Sequence, residues 1–240
     1  YVGLLLENSP TWIYSFYGLL MSGFVPVLLS TKNGNEYVDN VCKRLGIKTL
    51  ISDQELGYNI INPFKIDLVN ITEIEKTNWK DEVIFTTSGT TGECKIVSFT
   101  GSKLCEQINN ASKIITENYL ISKSYNGYLK HLVILPLFHV FGFIAVFLWF
   151  SFFNVTFVFP RNLTPNAIRQ AALMGEVTHI FAVPLFWKTI SSEIVKFTKK
   201  NNIEKKFNKG IKLSIFIQKL FGRRGIDFVK KTLFKPYLNE

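Results

Sequence analysis

One short segment restricts the fold and the chemistry of this chain more than any other part of its 240 residues. Two runs of β-branched and aromatic residues, 83–86 and 96–99, flank a stretch of small hydroxylated residues and two glycines, which Lys95 closes. Such runs predict two strands joined by a loop. Glycines let an anion approach the backbone amides, while hydroxyl groups and a lysine supply further donors and positive charge. The segment therefore predicts a loop that binds a polyphosphate.

This loop differs from a Walker-type phosphate loop. No Gly-Lys-Ser or Gly-Lys-Thr sequence occurs in the chain, and no helix signal begins at Lys95. A hairpin turn without a ligand is the alternative, but such a turn requires only two or three special residues. The loop has seven in register, which favours a binding role. They are Thr87, Ser88, Gly89, Thr90, Thr91, Gly92 and Lys95.

The order of the loop residues is specific, since residues 87–95 read Thr-Ser-Gly-Thr-Thr-Gly-Glu-Cys-Lys. This string resembles the pyrophosphate loop of the AMP-forming acyl-CoA synthetases, the superfamily of adenylate-forming enzymes. The one departure is Cys94, which stands where the superfamily usually has proline. Because proline at that position fixes backbone shape and carries no chemistry, the departure removes no catalytic group.

A second motif follows the predicted strand 131–135. Pro136 and Gly142 bracket a loop that exposes Phe138 and His139 at the carboxyl end of that strand, where open α/β sheets place ligand sites. The string Pro-Leu-Phe-His-x-x-Gly resembles the second motif of the same superfamily. A lone histidine of this kind is otherwise structural. The resemblance implies that Phe138, His139 and Gly142 border the pocket for the carboxylate substrate.

The resemblance also implies roles for the loop residues. Donors aimed at the phosphates stabilise the charge that develops on departing pyrophosphate, a role implied for all seven residues from Thr87 to Lys95. Lys95 would hold the β- and γ-phosphates, with Thr90 as the second catalytic residue. Thr90 and Thr91 would contact the metal. ATP and Mg²⁺ are the implied ligands, and coenzyme A is the implied co-substrate.

Strand and helix signals alternate along the chain, which is typical of an α/β fold with largely parallel sheets flanked by helices. The resemblance implies the front portion of the large N-terminal domain of an adenylate-forming enzyme. An irregular connector over 53–81 precedes the loop. The spacing of apolar residues predicts strands at 2–6, 25–29, 48–51, 131–135 and 177–184, and helices at 11–22, 34–45, 102–121, from 164, and from 185 onward.

The run Val140–Phe159 contains no Asp, Glu, Lys or Arg and reaches the length of a membrane span. An integral membrane protein is therefore one alternative. Gly142, Asn154 and Thr156 interrupt the run, and its second half is rich in β-formers. These features favour a buried helix of about 12 residues that leads into a buried parallel strand.

Charge is distributed unevenly. Residues 1–187 carry 14 Lys/Arg and 14 Asp/Glu, whereas residues 188–240 carry 14 and 4. We therefore predict a nucleotide- and acyl-binding α/β region over 1–187 and a basic helical extension of the same domain over 188–240. The extension is either a solvated helical face, which we favour, or a surface for nucleic acid or an anionic membrane. No nucleic-acid-binding module accompanies it, so we predict no nucleic-acid partner.

The cysteines and the missing motifs bear on location and completeness. Three cysteines without a Cys-x-x-Cys pair argue against a disulfide framework and favour the cytoplasm. The membrane alternative for the basic extension would add peripheral membrane contact. The chain begins at Tyr1 and lacks the superfamily's later Tyr-Gly-x-Thr-Glu and Thr-Gly-Asp motifs. We therefore expect a fragment of a longer enzyme, without its C-terminal lid domain.

The resemblance implies a function for that longer enzyme. It would activate a carboxylic acid with ATP to an acyl-adenylate and pass the acyl group to coenzyme A. Phe186 and Trp187, followed by a basic helical insertion, look most like the long-chain fatty-acid branch. We expect the fragment alone to be inactive. The alternative is a degenerate member that acts as a nucleotide-binding or interaction module.

Overall fold

The computed structural model describes residues 1–66, 78–87, 94–117, 128–153 and 155–221. The chain divides into two compact units, Tyr1–Phe181 and Ala182–Glu240, and each is described by itself. The functional division after residue 187 stays a prediction, because compactness alone does not define a binding region.

The first unit contains a six-stranded sheet with the strand order β4-β3-β1-β2-β5-β6. Strands β1 to β5 run parallel, and only the last strand, β6, is antiparallel to its neighbour. The sheet confirms the prediction of a largely parallel α/β fold. Its strands are β1 (Val2–Leu5), β2 (Pro26–Leu28), β3 (Thr49–Ser52), β4 (Asn59–Ile61), β5 (Glu82–Thr87) and β6 (Lys95–Thr100).

Helices cover both faces of this sheet because successive strand side chains point to opposite sides. In β1, Val2 and Leu4 belong to the core that includes Trp12 of helix α1 (Pro10–Met21). Leu5 instead packs into the core under helix α2 (Asn35–Leu45). The sheet therefore lies between α1 on one face and α2 on the other.

Local sequence signals set the ends of these two helices. The Ser9 side chain accepts a hydrogen bond from the Trp12 amide at 3.1 Å, and Pro10 occupies the first turn of α1. Both features are typical of helix N-termini. Helix α2 ends at Gly46, whose φ of 64° lies in the left-handed region that favours glycine.

A second, three-stranded parallel sheet has the order β8-β7-β9. It consists of β7 (Lys130–Leu132), β8 (Thr156–Val158) and β9 (His179–Ile180). Helix α3 (Gly101–Glu117) precedes it in the chain, and helix α5 (Pro165–Met174) connects β8 to β9. The end of the predicted helix 102–121 and the turn after it lie outside the described residues.

The long uncharged run forms a helix followed by a strand, as predicted. Helix α4 comprises Val140–Gly142, a π-helical segment Phe143–Leu148, and Trp149–Ser151. In the part of the chain that the structure describes, no helix has the length and hydropathy to cross a membrane. One detail of the prediction was wrong: β8 is a partly exposed edge strand, because β7 is its one partner among the described strands.

Aromatic rings connect α1, α4 and β5. The Phe143 ring lies 5.1 Å from Phe16, 5.2 Å from Phe85 and 5.4 Å from Phe147, each in an edge-to-face arrangement. Trp12 stacks on Phe16 at 5.6 Å. Such pairs stabilise a core beyond their buried area, so this cluster fixes the position of α4 on the sheet.

Two sequence-based boundaries were wrong for a physical reason. The predicted connector 53–81 contains strand β4, a short edge strand with weak burial that gives little periodic signal. The predicted strand 177–184 is reduced to His179–Ile180, because Pro184 starts the next helix.

The second unit contains the predicted amphipathic helices, α6 (Pro184–Lys200) and α7 (Glu204–Phe221).

We expect Phe143→Ala to lower the free energy of unfolding by about 3–5 kcal/mol, because a fully buried ring leaves a cavity between α1, α4 and β5. Denaturant unfolding of the full chain measures this change. Phe152→Ala is the matched control, since Phe152 is 65% exposed and its loss should change stability by less than about 0.5 kcal/mol. Equal losses in the two variants would contradict the packing described.

Candidate functional site

The predicted phosphate loop connects β5 to β6 at one edge of the first sheet. Thr87 is the last residue of β5, and it pairs with Lys95, the first residue of β6. Because β1, β2 and β5 run parallel, their carboxyl ends meet at this edge. The prediction of strand, loop and strand is confirmed at both flanks. Residues Ser88, Gly89, Thr90, Thr91 and Gly92 lie outside the described residues.

Lys95 presents a positive charge at the surface of this edge. Its side chain is exposed, and it forms no ion pair within the described part of the chain. Lys32 lies on the loop after β2 at the same edge but is already neutralised. Its Nζ lies 2.7 Å from Glu7 Oε1, which also accepts a hydrogen bond from Thr31 at 2.7 Å. Lys95 is therefore the better placed of these two cations to bind an anion.

Helix α2 hydrogen-bonds to both ends of the loop. The Tyr37 hydroxyl contacts Thr86 Oγ1, and the Thr86 hydroxyl donates to the Leu28 carbonyl at 2.8 Å. On the other end, Arg44 Nη1 donates to the Cys94 carbonyl at 2.5 Å. Burial raises the pKa of the Tyr37 phenol, which keeps its proton available for donation to Thr86. One helix thus restrains the backbone on both sides of the predicted phosphate site.

Sequence reasoning missed these restraints. The position of Tyr37 matches the apolar spacing of α2, which predicts a core residue, and Arg44 has the pattern of a solvated charge near a helix end. The signal that connects them is their spacing of seven residues, two helical turns, which places both on one side of α2. Their partners at Thr86 and Cys94 are distant in sequence, so only the fold brings the pairs together.

Cys94 remains a neutral thiol at the end of the loop. Burial raises its pKa and outweighs the opposite effects of the Arg44 charge and of a hydrogen bond from the Thr87 backbone. Its Sγ donates to the Lys95 carbonyl at 3.6 Å. Cys94 therefore adds no negative charge beside Lys95 that would repel a phosphate.

Asn8 connects the second motif to the same sheet edge. It follows β1, and its side-chain Nδ2 donates to the Leu135 carbonyl at 2.7 Å. Its Oδ1 accepts from the Leu137 amide at 2.9 Å. The Phe85–Phe143 contact adds an apolar connection between β5 and α4. Together these contacts bring the loop that contains His139 to the edge where β1 and β5 end.

The three residues predicted to border the acyl pocket have different surroundings. The His139 side chain is exposed at the start of α4, and its Nδ1 accepts from the Phe141 amide at 3.3 Å. Neutral His139 then carries its proton on Nε2, where it can donate to a carboxylate. Phe138 is only 8% exposed and packs in the hydrophobic core. Gly142 is buried against the backbone of Pro136.

Position 142 requires glycine because the backbone of Pro136 approaches it closely. A Cβ at this position would overlap the Pro136 carbonyl oxygen and lie 2.8 Å from its carbonyl carbon. The contact brings the first turn of α4 against the loop that leads to His139, whose amide also donates to the Pro136 carbonyl at 3.2 Å. The observed role of Gly142 is thus to shape the loop that presents His139.

We expect Gly142→Ala to lower the free energy of unfolding by about 1–3 kcal/mol, since backbone cannot move aside as a flexible side chain can. Thermal and denaturant unfolding measure this change. Gly18→Ala is the matched control. Gly18 lies inside α1, where no described heavy atom comes within 4 Å of an added methyl group, so the change should stabilise by about 0.5–1 kcal/mol. An unchanged Gly142→Ala variant would contradict the close approach.

Several solved structures are similar to this chain. The o-succinylbenzoate CoA synthetase (MenE) of Bacillus subtilis, in complex with the acyl-adenylate intermediate OSB-AMP, is 23% identical over 80% of this chain and 51% of that chain, with a TM-score of 0.65. The same synthetase with ATP and magnesium ion is 21% identical over 75% of this chain and 49% of that chain, with a TM-score of 0.59. The N-terminal subdomain of Klebsiella oxytoca NpsA, with 3-hydroxybenzoyl-AMSN, is 18% identical over 75% and 46%, with a TM-score of 0.55.

These likenesses show the fold, an α/β arrangement of mostly parallel sheets flanked by helices that matches the N-terminal domain of adenylate-forming enzymes. The chain spans about half the length of the solved synthetase, 51%. No curated protein matches its sequence. The family model described as AMP-binding enzyme matches residues 1–231 of the 240. The chain therefore belongs to the AMP-binding enzyme family.

Proposed function

We propose that this chain is the front portion of an enzyme that activates a carboxylic acid with ATP and transfers the acyl group to coenzyme A. The observation that carries the proposal is the joint position of two motifs. The ends of the hydroxyl-rich loop, Thr87 and Lys95, lie at the sheet edge to which Asn8 connects the His139 loop. Membership of the AMP-binding enzyme family supports this use of the edge.

The proposed reaction has two steps. A carboxylate oxygen of the acid attacks the α-phosphorus of ATP, and the bond to the bridging oxygen of pyrophosphate breaks, which gives an acyl-adenylate and pyrophosphate. The thiolate of coenzyme A then attacks the acyl carbon, and AMP leaves. Negative charge develops on pyrophosphate in the first step, so donors that already point at the phosphates lower its barrier.

Lys95 and the loop hydroxyls are the proposed donors in that step. Lys95 would contact the β- and γ-phosphates, supported by its exposure and by the lack of an ion pair in the described ranges. Thr87, Ser88, Gly89, Thr90, Thr91 and Gly92 would complete the cradle. His139 would donate from Nε2 to the carboxylate of the acid, with Phe138 and Gly142 behind it.

Mg²⁺ is proposed to arrive with the nucleotide and not to occupy a separate site of the protein. Over the described ranges, no group of three His, Cys, Asp or Glu side chains could form a metal site of its own. Mg²⁺ binds through phosphate oxygens with few protein ligands in many nucleotide sites. Thr90 and Thr91 are the proposed protein ligands, and the metal would neutralise charge on the phosphates when bound.

Fatty acid is the proposed substrate class, and the cytoplasm is the proposed location. The basic helical segment after Phe186 and Trp187 supports a fatty-acid substrate, and three free cysteines support a cytoplasmic location. An aromatic acid is the second candidate. It is favoured by the fold neighbours, whose bound molecules are OSB-AMP and 3-hydroxybenzoyl-AMSN. A panel of fatty and aromatic acids, tested for ATP-dependent thioester formation by the longer enzyme, separates the two.

We expect Lys95→Met to weaken binding of ATP with Mg²⁺ by about tenfold to a hundredfold, the loss typical of a charged hydrogen bond. Isothermal titration calorimetry with the full chain measures the affinity. Glu7→Gln/Lys32→Met is the control, because it removes a paired lysine at the same edge together with its carboxylate partner, and it should change affinity by less than about twofold. Equal effects of the two variants would contradict the assignment of Lys95.

Two measurements, pyrophosphate exchange and adenylate formation, distinguish an active enzyme from a degenerate one. We expect these 240 residues to bind ATP without exchanging pyrophosphate into it, because they span about half of the solved synthetase. If the longer enzyme binds ATP yet forms no adenylate with any acid in the panel, the nucleotide-binding module is the correct alternative.

Arg44 and Tyr37 are proposed positioning residues for the loop. Arg44→Met and Tyr37→Phe each remove one hydrogen bond at one end of the loop. Each should weaken ATP affinity by about threefold to tenfold. Arg44→Lys retains a donor and should restore most of the affinity. Lys43→Met changes an exposed neighbour on α2 and controls for loss of charge. Affinities of Arg44→Met and Arg44→Lys that are equal to wild type would contradict this role.

A further inference from the structure

Helix α7 presents a stripe of apolar side chains to solvent. Leu213, Phe216 and Leu220 are spaced by three and four residues, so they lie along one face of the helix. Their exposed fractions are 50%, 59% and 62%. We call these three residues the apolar stripe. Single exposed apolar residues are ordinary, but three aligned on one helix face form a continuous surface.

The side of α7 next to the apolar stripe is the more buried one. Phe207, Gly210, Ser214 and Ile217 follow the same helical spacing there, and each is buried or half-buried. Ile217 lies one turn after Leu213, so the two surfaces adjoin. The apolar stripe is the more exposed of these two surfaces.

Lysines border the apolar stripe. Lys209 lies one turn before Leu213, Lys212 one turn before Phe216, and Lys219 one turn after Phe216, and all three are exposed. Glu204 is the only acidic residue of α7. Over the described ranges, none of these lysines forms an ion pair. The surface thus combines apolar area with uncompensated positive charge.

We propose that the apolar stripe and its three lysines dock on an anionic lipid membrane. An exposed helix face with aliphatic and aromatic residues and bordering lysines is typical of helices that lie in the membrane interface. The apolar side chains would enter the acyl boundary, while the long lysine side chains reach the headgroups. Anionic lipids would attract each lysine near the surface.

Charge disfavours the other occupants. A second copy of the chain would bring lysines against lysines. Residues 222–240 carry five Lys/Arg and two Asp/Glu, so they would also meet repulsion on this face. Nucleic acid would attract the lysines, but its phosphate backbone offers no apolar partner for the two leucines. A membrane with anionic headgroups satisfies both the charge and the apolar area.

Vesicle co-sedimentation of the full chain tests this proposal. The wild-type protein should sediment with vesicles of phosphatidylcholine and one-third phosphatidylserine, and much less with phosphatidylcholine alone. Changing all three stripe residues to serine should weaken binding by at least about tenfold. Tyr14→Ser/Met174→Ser is the control, because it removes two apolar residues of the first unit that are even more exposed, at 73% and 86%, and it should leave binding unchanged.

A charge variant keeps the test decisive if the triple-serine protein misfolds. Lys209→Gln/Lys212→Gln/Lys219→Gln leaves the apolar residues in place and should also weaken binding to anionic vesicles, as should an increase in salt. Circular dichroism checks that each variant is folded. Vesicle binding is independent of the proposed ligase chemistry, so ATP affinity should be the same in all variants.

Five results would overturn the proposal. Three concern vesicles: no binding to anionic vesicles, equal binding to both vesicle types, and binding that survives both triple substitutions. The fourth is a wild-type dimer, seen by light scattering, that the serine substitutions dissociate, which would assign the apolar stripe to a second copy. Binding to duplex nucleic acid without binding to vesicles would likewise reject a lipid surface.

Discussion

Strand β5 is bonded along both of its edges, to parallel β2 and to antiparallel β6, and the rest of the candidate site depends on this pairing. Its alternate side chains enter two different cores. Val83 and Phe85 pack with α1 and α4, whereas Ile84 packs with α2. A one-residue change in register would exchange these faces. The position of Thr87 at the sheet edge is thus fixed by hydrophobic burial several residues before it.

Two separate parts of the chain converge on that edge. Helix α2 restrains the ends of the loop through Tyr37 and Arg44, and Asn8 fixes the loop that leads to His139. Each restraint joins a polar side chain to backbone or hydroxyl groups far away in sequence. These restraints fix the described residues on either side of the proposed phosphate loop, and donors held in fixed positions are the condition for electrostatic stabilisation of a charged transition state.

Much of this arrangement was predictable from the sequence because the relevant signals are local. The strands on either side of the loop and the capped helices follow from residue types within a few positions of one another. The core position of Phe138 and the backbone contact of Gly142 were not predictable, since both depend on partners that only the fold supplies. The same holds for Arg44, whose bond to Cys94 spans 50 residues.

The position of Lys95 beside a bound triphosphate is tested most directly with an ATP analogue that carries an acyl group on its terminal phosphate, which transfers to a nearby lysine amine. Mass spectrometry then locates the labelled lysine. We predict acylation of Lys95 that excess unmodified ATP prevents. Labelling of the lysines of α7 with no protected label on Lys95 would contradict it.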